Sequence, residues 1–169
     1  NAYGRSKLAG ERLVQQVGGA YLILRTSWLY SLRGGSFVNK VLRWSRSHAS
    51  LQIVSDQVSN PTWARSLAEA TGQLLARAGG GNSAGRHPAE WLHQYSGVYH
   101  LAAPNFASRY EWAKAILQLD PHKEEQVAQQ VLPASSDSFP TPAQRPKFSA
   151  LDCSLFASTF GMQLPTWED

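Results

Sequence analysis

Apolar residues recur along the chain with helical spacing in some stretches and as short continuous runs in others. Over residues 2–17, Ala9, Leu13 and Val17 fall one above another, which predicts a helix with an apolar face, and Gly18 and Gly19 follow where it would close. The run at 21–30 is apolar without alternation at its start, the pattern of a strand buried on both faces of a parallel sheet. Residues 32–35 read as a loop. Phe37, Val38, Val41 and Leu42 predict an amphipathic helix over 36–47, and Leu51–Val54 a short strand. The cluster DQVSNPTW at 56–63 has turn chemistry. Leu67, Thr71, Leu74, Leu75 and Ala78 predict a helix over 66–78.

The polar, Gly/Ser-rich stretch 79–96 reads as a flexible surface excursion, and 97–103 as a strand. Ser108 and Glu111 form a capping box ahead of Tyr110, Ala113, Ile116 and Leu117, a helix ending near Asp120–Pro121. Val131–Ala134 reads as a short strand, and 135–146, with three prolines, as irregular chain. Asp152 is placed to cap a last helix with Leu155, Phe156 and Thr159 inward and Gly161 closing it. Alternating strands and helices predict an α/β fold with a parallel sheet. Only two strands read as fully buried, too few to cover so many helix faces. The chain is expected to be part of a longer one.

Composition narrows the class. With 43% hydrophobic and 17% charged residues among 169, the chain is globular rather than disordered. No apolar run approaches the ~18 residues of a membrane span, and no secretory leader opens the chain. The single cysteine, Cys153, excludes an internal disulfide and any Cys-rich zinc site, and fits a reducing compartment. The formal charge is +4, but the arginines are scattered without a basic run, so nothing points to nucleic acid. The five histidines are dispersed without paired spacing, against metal ligation.

The chemistry-bearing pair is Tyr3 and Lys7, four residues apart on the first predicted helix and therefore on one face. An ammonium beside a phenol favours the phenolate, which suits a tyrosine to give a proton to a carbonyl oxygen or take one from an alcohol. That chemistry matches carbonyl reduction with a nicotinamide cofactor. Spacing alone is weak support. Tyr110 and Lys114 share it inside the capped helix, where core packing with a solvated tip explains them.

NAYGRSKLAGE at 1–11 resembles the active-site helix of extended short-chain dehydrogenase/reductases. LRTSWLY (24–30), SFVNKVLR (36–43), DQVSNPTWARSLAEA (56–70), GVYHLA (97–102), FPTPAQRP (139–146) and SALD (149–152) follow in order. The series resembles the dTDP-4-dehydrorhamnose reductase family over nearly the whole chain except 79–96. The resemblance implies the C-terminal portion of an NAD(P)-binding, Rossmann-like enzyme with a smaller substrate-binding subdomain. Residues 1–35 would hold the active-site helix and following strand of the Rossmann part. Residues 36–169 would be mostly the nucleotide-sugar-binding part, with a Rossmann helix and strand interleaved at 66–103. The Gly-rich phosphate turn is missing from these residues, and so is the family's catalytic Thr/Ser. The fragment is expected to be inactive alone.

Carried over residue by residue, the resemblance makes Tyr3 the proton donor to the C4 carbonyl of dTDP-4-dehydro-L-rhamnose. Lys7 would lower the phenol's pKa and hold the nicotinamide ribose. Thr26, Ser27 and Trp28 would lie beside the nicotinamide and sugar, although Trp28 is equally readable as a core aromatic. Asn39, Gln57, Pro61 and Thr62 would line the substrate pocket. For Asn39 a solvated side chain, and for the last three a plain proline turn, remain alternative readings. Arg145 would face the diphosphate, with a capping or surface role as its alternative. Ser66 stands where the family often has Asp. The implied cofactor is NADPH or NADH, the partner a dTDP-sugar, and the location cytoplasmic, with no membrane or nucleic acid. A homodimer and Mg2+ are both left open. Two other functions share the pattern: a sugar-nucleotide epimerase or dehydratase, and a non-catalytic NADP-binding subunit like that of methionine adenosyltransferase.

Overall fold

A computed structural model describes residues 1–79 and 87–169. Its first helix, α1, spans Ala2–Val17, and the Asn1 side chain caps it by accepting from Gly4 N at 2.9 Å. The face expected to point inward is open. Leu13 is 63% and Val17 86% exposed, and no residue of α1 is buried. The stretch 21–30 is two strands rather than one, β1 (Leu22–Arg25) and β2 (Leu29–Tyr30). They part at Trp28, the only non-glycine residue with positive φ (35°) among those described. β1 is half-buried, not covered on both faces, because its single neighbour is β6 (Gly97–His100), parallel to it.

Helix α2 (Phe37–Ser45) forms as expected, capped by Ser36, and leads into β3 (Ser50–Val54). Within the supposed turn at 56–63 lie two short strands, β4 (Val58–Ser59) and β5 (Thr62–Trp63), because backbone at distant positions supplies the ladder partners. β5 runs parallel to β2, and β4 antiparallel to β7 (Ala107–Ser108). β3 pairs in parallel with β8 (Gln130–Ala134). The expected α/β class with parallel pairing holds.

Helix α3 (Ala64–Ala78) buries Ser66, Ala70, Leu74 and Ala78, a face rotated from the expected one, and Leu75 is 62% exposed. That face, small residues with Leu74, joins the apolar cluster that includes Tyr99 of β6, and Leu75 lies outside it. Of the expected excursion 79–96, residues 80–86 lie outside the described residues. The remainder is not a surface loop. Pro88–Gln94 forms α4, and its Trp91 is buried in the core. In the last helix, α6 (Ser154–Phe160), Phe156 and Phe160 are buried while Leu155 is 59% exposed. Asp152 accepts from Ser154 N at 2.9 Å, and Gly161 closes the helix in the left-handed conformation (φ 59°).

Two apolar clusters result. One joins α3, α4, β6 and α6 through Leu74, Trp91, Tyr99, Phe156 and Phe160. The other joins α2, β3 and α5 (Arg109–Leu119) through Val41, Leu51, Ile53, Ala113 and Leu117. Among the described residues no helix is long and apolar enough to cross a membrane.

The predicted capping box opens α5. Ser108 Oγ accepts from Glu111 N at 3.1 Å, and Glu111 accepts from Ser108 N at 2.7 Å. The backbone and hydroxyl of Ser108 hold the Glu111 carboxyl below its ordinary 4.5. The contribution of that carboxylate is therefore present above pH 4.5 and is lost as the pH falls through the lower folded-state value. Ser108→Ala should destabilise the protein by about 1 kcal/mol near neutral pH, and by less in acid. Denaturation midpoints at the two pH values check this.

Candidate functional site

α1 is held against β1 by one ion pair. Arg25, at the end of β1, donates to both Glu11 oxygens at 2.8 and 2.6 Å. This contact keeps the Glu11 carboxyl below its usual range. The sequence reading missed Glu11, although it follows Lys7 by one helical turn. With α1 so placed, Tyr3, Lys7 and Thr26 line one open cleft of about 710 Å3, together with Gly4, Ile23 and Leu151. Tyr3 is 74% exposed there. Of the residues expected at the nicotinamide end, the structure brings Tyr3, Lys7 and Thr26 together, while Ser27 and Trp28 do not line this cleft.

At its other end α1 is tied to the proline-rich segment, since Asn1 Nδ2 donates to Gln144 O at 3.3 Å. Asn1, Gln57, Arg145, Lys147 and Phe139 line a second, polar cavity of about 980 Å3. Gln57 and Arg145, 88 positions apart in the chain, thus line one cavity. Phe139 also borders a third, apolar cavity of about 630 Å3, walled by Phe37, Trp44, Leu51 and Ile53.

Trp28 belongs to an aromatic group. It stacks on Trp112 at 5.8 Å between ring centres, and Tyr30 and Phe37 meet the same Trp112 ring at 5.3 and 4.9 Å. One face of Trp28 is packed on Trp112, as its reading as a core aromatic expects, and it lines none of the three cavities. Its positive φ is a backbone conformation costing roughly 1–3 kcal/mol, of the kind that gathers at binding sites. The guanidinium of Arg109 lies over its ring at 4.2 Å. Neither Trp112 nor Arg109 stood out in the sequence, since nothing in their spacing marks them.

Besides Trp28, four expected pocket residues line none of the three cavities described. Pro61 and Thr62 are fully buried. Thr62 Oγ1 donates to Asn60 O at 3.2 Å and accepts from Ala103 N at 3.3 Å, so its hydroxyl is spent inside the protein. Asn39 donates to Leu32 O at 3.1 Å and Gly34 O at 2.7 Å, pinning the 31–35 loop to α2. Ser27 bonds Ser59 Oγ, which donates to Ser149 O at 2.9 Å. In each case a short polar side chain finds a nearby backbone or hydroxyl partner and is consumed by it. Asn60, missed in the sequence reading, is the centre of this scaffold. It donates to Ala103 O and Asn105 O, and accepts from Leu151 N.

A nicotinamide cofactor's reactive end fits the cleft by one test: an exposed phenol and an ammonium share a helix face over open space beside Thr26. Among the described residues the one group of three close metal-ligand types is His122, Glu124 and Glu125, all exposed, with Glu125 already paired to Arg46.

The family model described as RmlD substrate binding domain matches residues 1–169. The chain is 36% identical over 170 residues to the dTDP-4-dehydrorhamnose reductase of Burkholderia thailandensis, covering 99% of this chain and 55% of that protein. It is also 36% identical to the Sinorhizobium fredii protein of the same name, covering 100% of this chain and 54% of the relative. A solved structure of the Bacillus anthracis dTDP-4-dehydrorhamnose reductase in complex with NADP superimposes with TM-score 0.80 at 30% identity, over 99% of this chain and 52% of that one. The chain spans about half the length of the curated relatives it matches.

Proposed function

Since the chain belongs to the RmlD substrate binding domain family, we propose that it carries the catalytic helix and sugar-nucleotide pocket of a dTDP-4-dehydrorhamnose reductase. The reading rests most heavily on Tyr3 and Lys7, which share a helix face over the cleft that Thr26 also lines. The whole protein reduces the C4 keto group of dTDP-4-dehydro-L-rhamnose to give dTDP-L-rhamnose. Bound NADPH or NADH supplies the hydride. Tyr3 donates its phenolic proton to the C4 oxygen as the carbonyl becomes an alcohol. Lys7 favours the resulting phenolate and offers donors to a ribose hydroxyl.

Thr26 stands beside the sugar, while Gln57 and Arg145 face the nucleotide and Trp28 carries the guanidinium of Arg109 on its ring. Asn39, Ser27, Pro61 and Thr62 act at one remove, holding the backbone of those groups in place. The two apolar clusters support a cofactor side made of 1–35 and 66–103 and a substrate side made of most of 36–169. The one free cysteine suits a reducing cytoplasm.

The test is product stoichiometry. The whole protein, given dTDP-4-dehydro-L-rhamnose, should oxidise one NADPH for each dTDP-L-rhamnose formed. Sugar interconversion without net NADPH oxidation would instead make it an epimerase or dehydratase.

A further inference from the structure

The polar and apolar cavities share three lining residues, Val54, Arg109 and Phe139, and Arg109 is the charged one. Arg109 lines both, beside Phe37 and Trp44 in one and beside Gln57 and Arg145 in the other. Its position is built rather than incidental. The guanidinium lies 4.2 Å from the centre of the Trp28 ring and 5.0 Å from that of Phe37. Its backbone N–H is bound to Gln57 O at 3.2 Å, which anchors the start of α5 beside the pocket.

The charge, however, is unanswered. Among the described residues Arg109 takes part in none of the ion pairs. Asp56 is held by Ser136 N and Oγ of this wall at 2.9 and 2.8 Å and lies near Lys147, and Asp137, the carboxylate that lines the polar cavity with Arg109, is in none of these ion pairs either. Burial, with the positive charge of Arg145 adding to it, pushes the Arg109 guanidinium down to about 10. Two cations that repel each other across a cavity are costly unless an anion joins them. The planar fork of arginine matches phosphate oxygens, and stacking on Trp28 fixes the direction in which the fork points.

We propose that Arg109 is a phosphate-gripping, specificity-determining residue: stacked on Trp28, it holds the diphosphate of the bound nucleotide together with Arg145. This rests on the sugar-nucleotide reading above and adds a residue to it. Phosphate oxygens bridging the two guanidiniums remove their mutual repulsion. They also seat the ligand at the junction of the two cavities, so that the sugar can extend toward Tyr3.

Calorimetric titration of the whole protein with dTDP, and with thymidine as the phosphate-free probe, tests it. Arg109→Gln should weaken dTDP binding by about 10- to 100-fold while changing thymidine binding by less than about twofold. Arg109→Lys should recover only part of the loss, because an ammonium keeps the charge without the fork. Parent-like dTDP affinity in Arg109→Gln, with Arg145→Gln weakened, would overturn the role of Arg109 and leave the sugar-nucleotide reading standing. Equal weakening of dTDP and thymidine would also overturn it, since Arg109 would then support the pocket wall only. A parent protein that binds dTDP no better than thymidine would sink the sugar-nucleotide reading itself. Should Arg109→Gln lose its near-ultraviolet dichroism, Arg109→Lys decides. Parent-like dTDP affinity there overturns the proposal, and a severalfold loss confined to dTDP supports it.

Discussion

Tyr3→Phe in the whole protein should lower turnover by about 10^2- to 10^4-fold, the usual worth of a positioned proton donor. The substitution removes one oxygen from a side chain that is 74% exposed and forms no part of either apolar cluster. Folding and dTDP affinity should therefore be left as they are. The loss belongs to the step in which the C4 oxygen gains charge and must be protonated. Steady-state kinetics show it as a fall in kcat with KM nearly unchanged. Lys7→Met should act in the same direction. Equal turnover in Tyr3→Phe and parent would remove Tyr3 from the chemistry. Parallel loss of kcat and dTDP affinity would make it a binding residue instead.

Asn60→Ala should cost about 3–5 kcal/mol of stability, because it strands several buried backbone groups at once. Asn60 is 1% exposed. Its amide donates to Ala103 O at 2.9 Å and Asn105 O at 3.1 Å, and its oxygen accepts from Leu151 N at 2.7 Å. Those three segments come from the end of β6, the approach to β7 and the approach to α6. Ala103 is itself buried, so its carbonyl, once orphaned, bears the full cost of desolvation. Urea denaturation of variant and parent measures the difference. A loss below about 1 kcal/mol would show that the backbone groups find other partners. An Asn60→Asp variant separates the two halves of the role, keeping an acceptor for Leu151 N while losing both donated bonds.

Legibility differed sharply between kinds of residue. The Tyr3–Lys7 pair was readable because helical spacing alone puts two side chains on one face, and α1 does form over Ala2–Val17. The Ser108–Glu111 box was readable because a cap is a contact between residues three apart. The faces of α1 and α3 were misread for one reason. Periodicity says that a helix has an apolar side, but the neighbouring surface decides how much of that side is covered. Leu13 and Val17 meet no partner, and on α3 small residues with Leu74, not Leu75, join the apolar cluster that includes Tyr99. The stretch around Trp91 looked like a surface loop from its glycines and polar residues. One tryptophan at the right place in the cluster outweighed that composition.

What the chain's order of residues determined by itself is local. It includes the α/β class, the helix caps and the first helix with Tyr3 and Lys7 one turn apart. Each of these depends on residues within a turn or two of one another, where backbone geometry leaves few options. Only the tertiary structure decided which polar residues face a cavity and which are spent inside. It turned Thr62, Asn39 and Ser27 inward onto backbone and hydroxyl partners, left Gln57 and Arg145 at one wall, and set Arg109 between two cavities on the ring of Trp28. Apart from Asn39, whose partners lie 5 and 7 positions away, the inward-turned residues depend on groups 32 to 91 positions apart being brought within hydrogen-bonding distance. Such pairings leave no period in the sequence, because the chain that separates the partners contributes nothing to the contact.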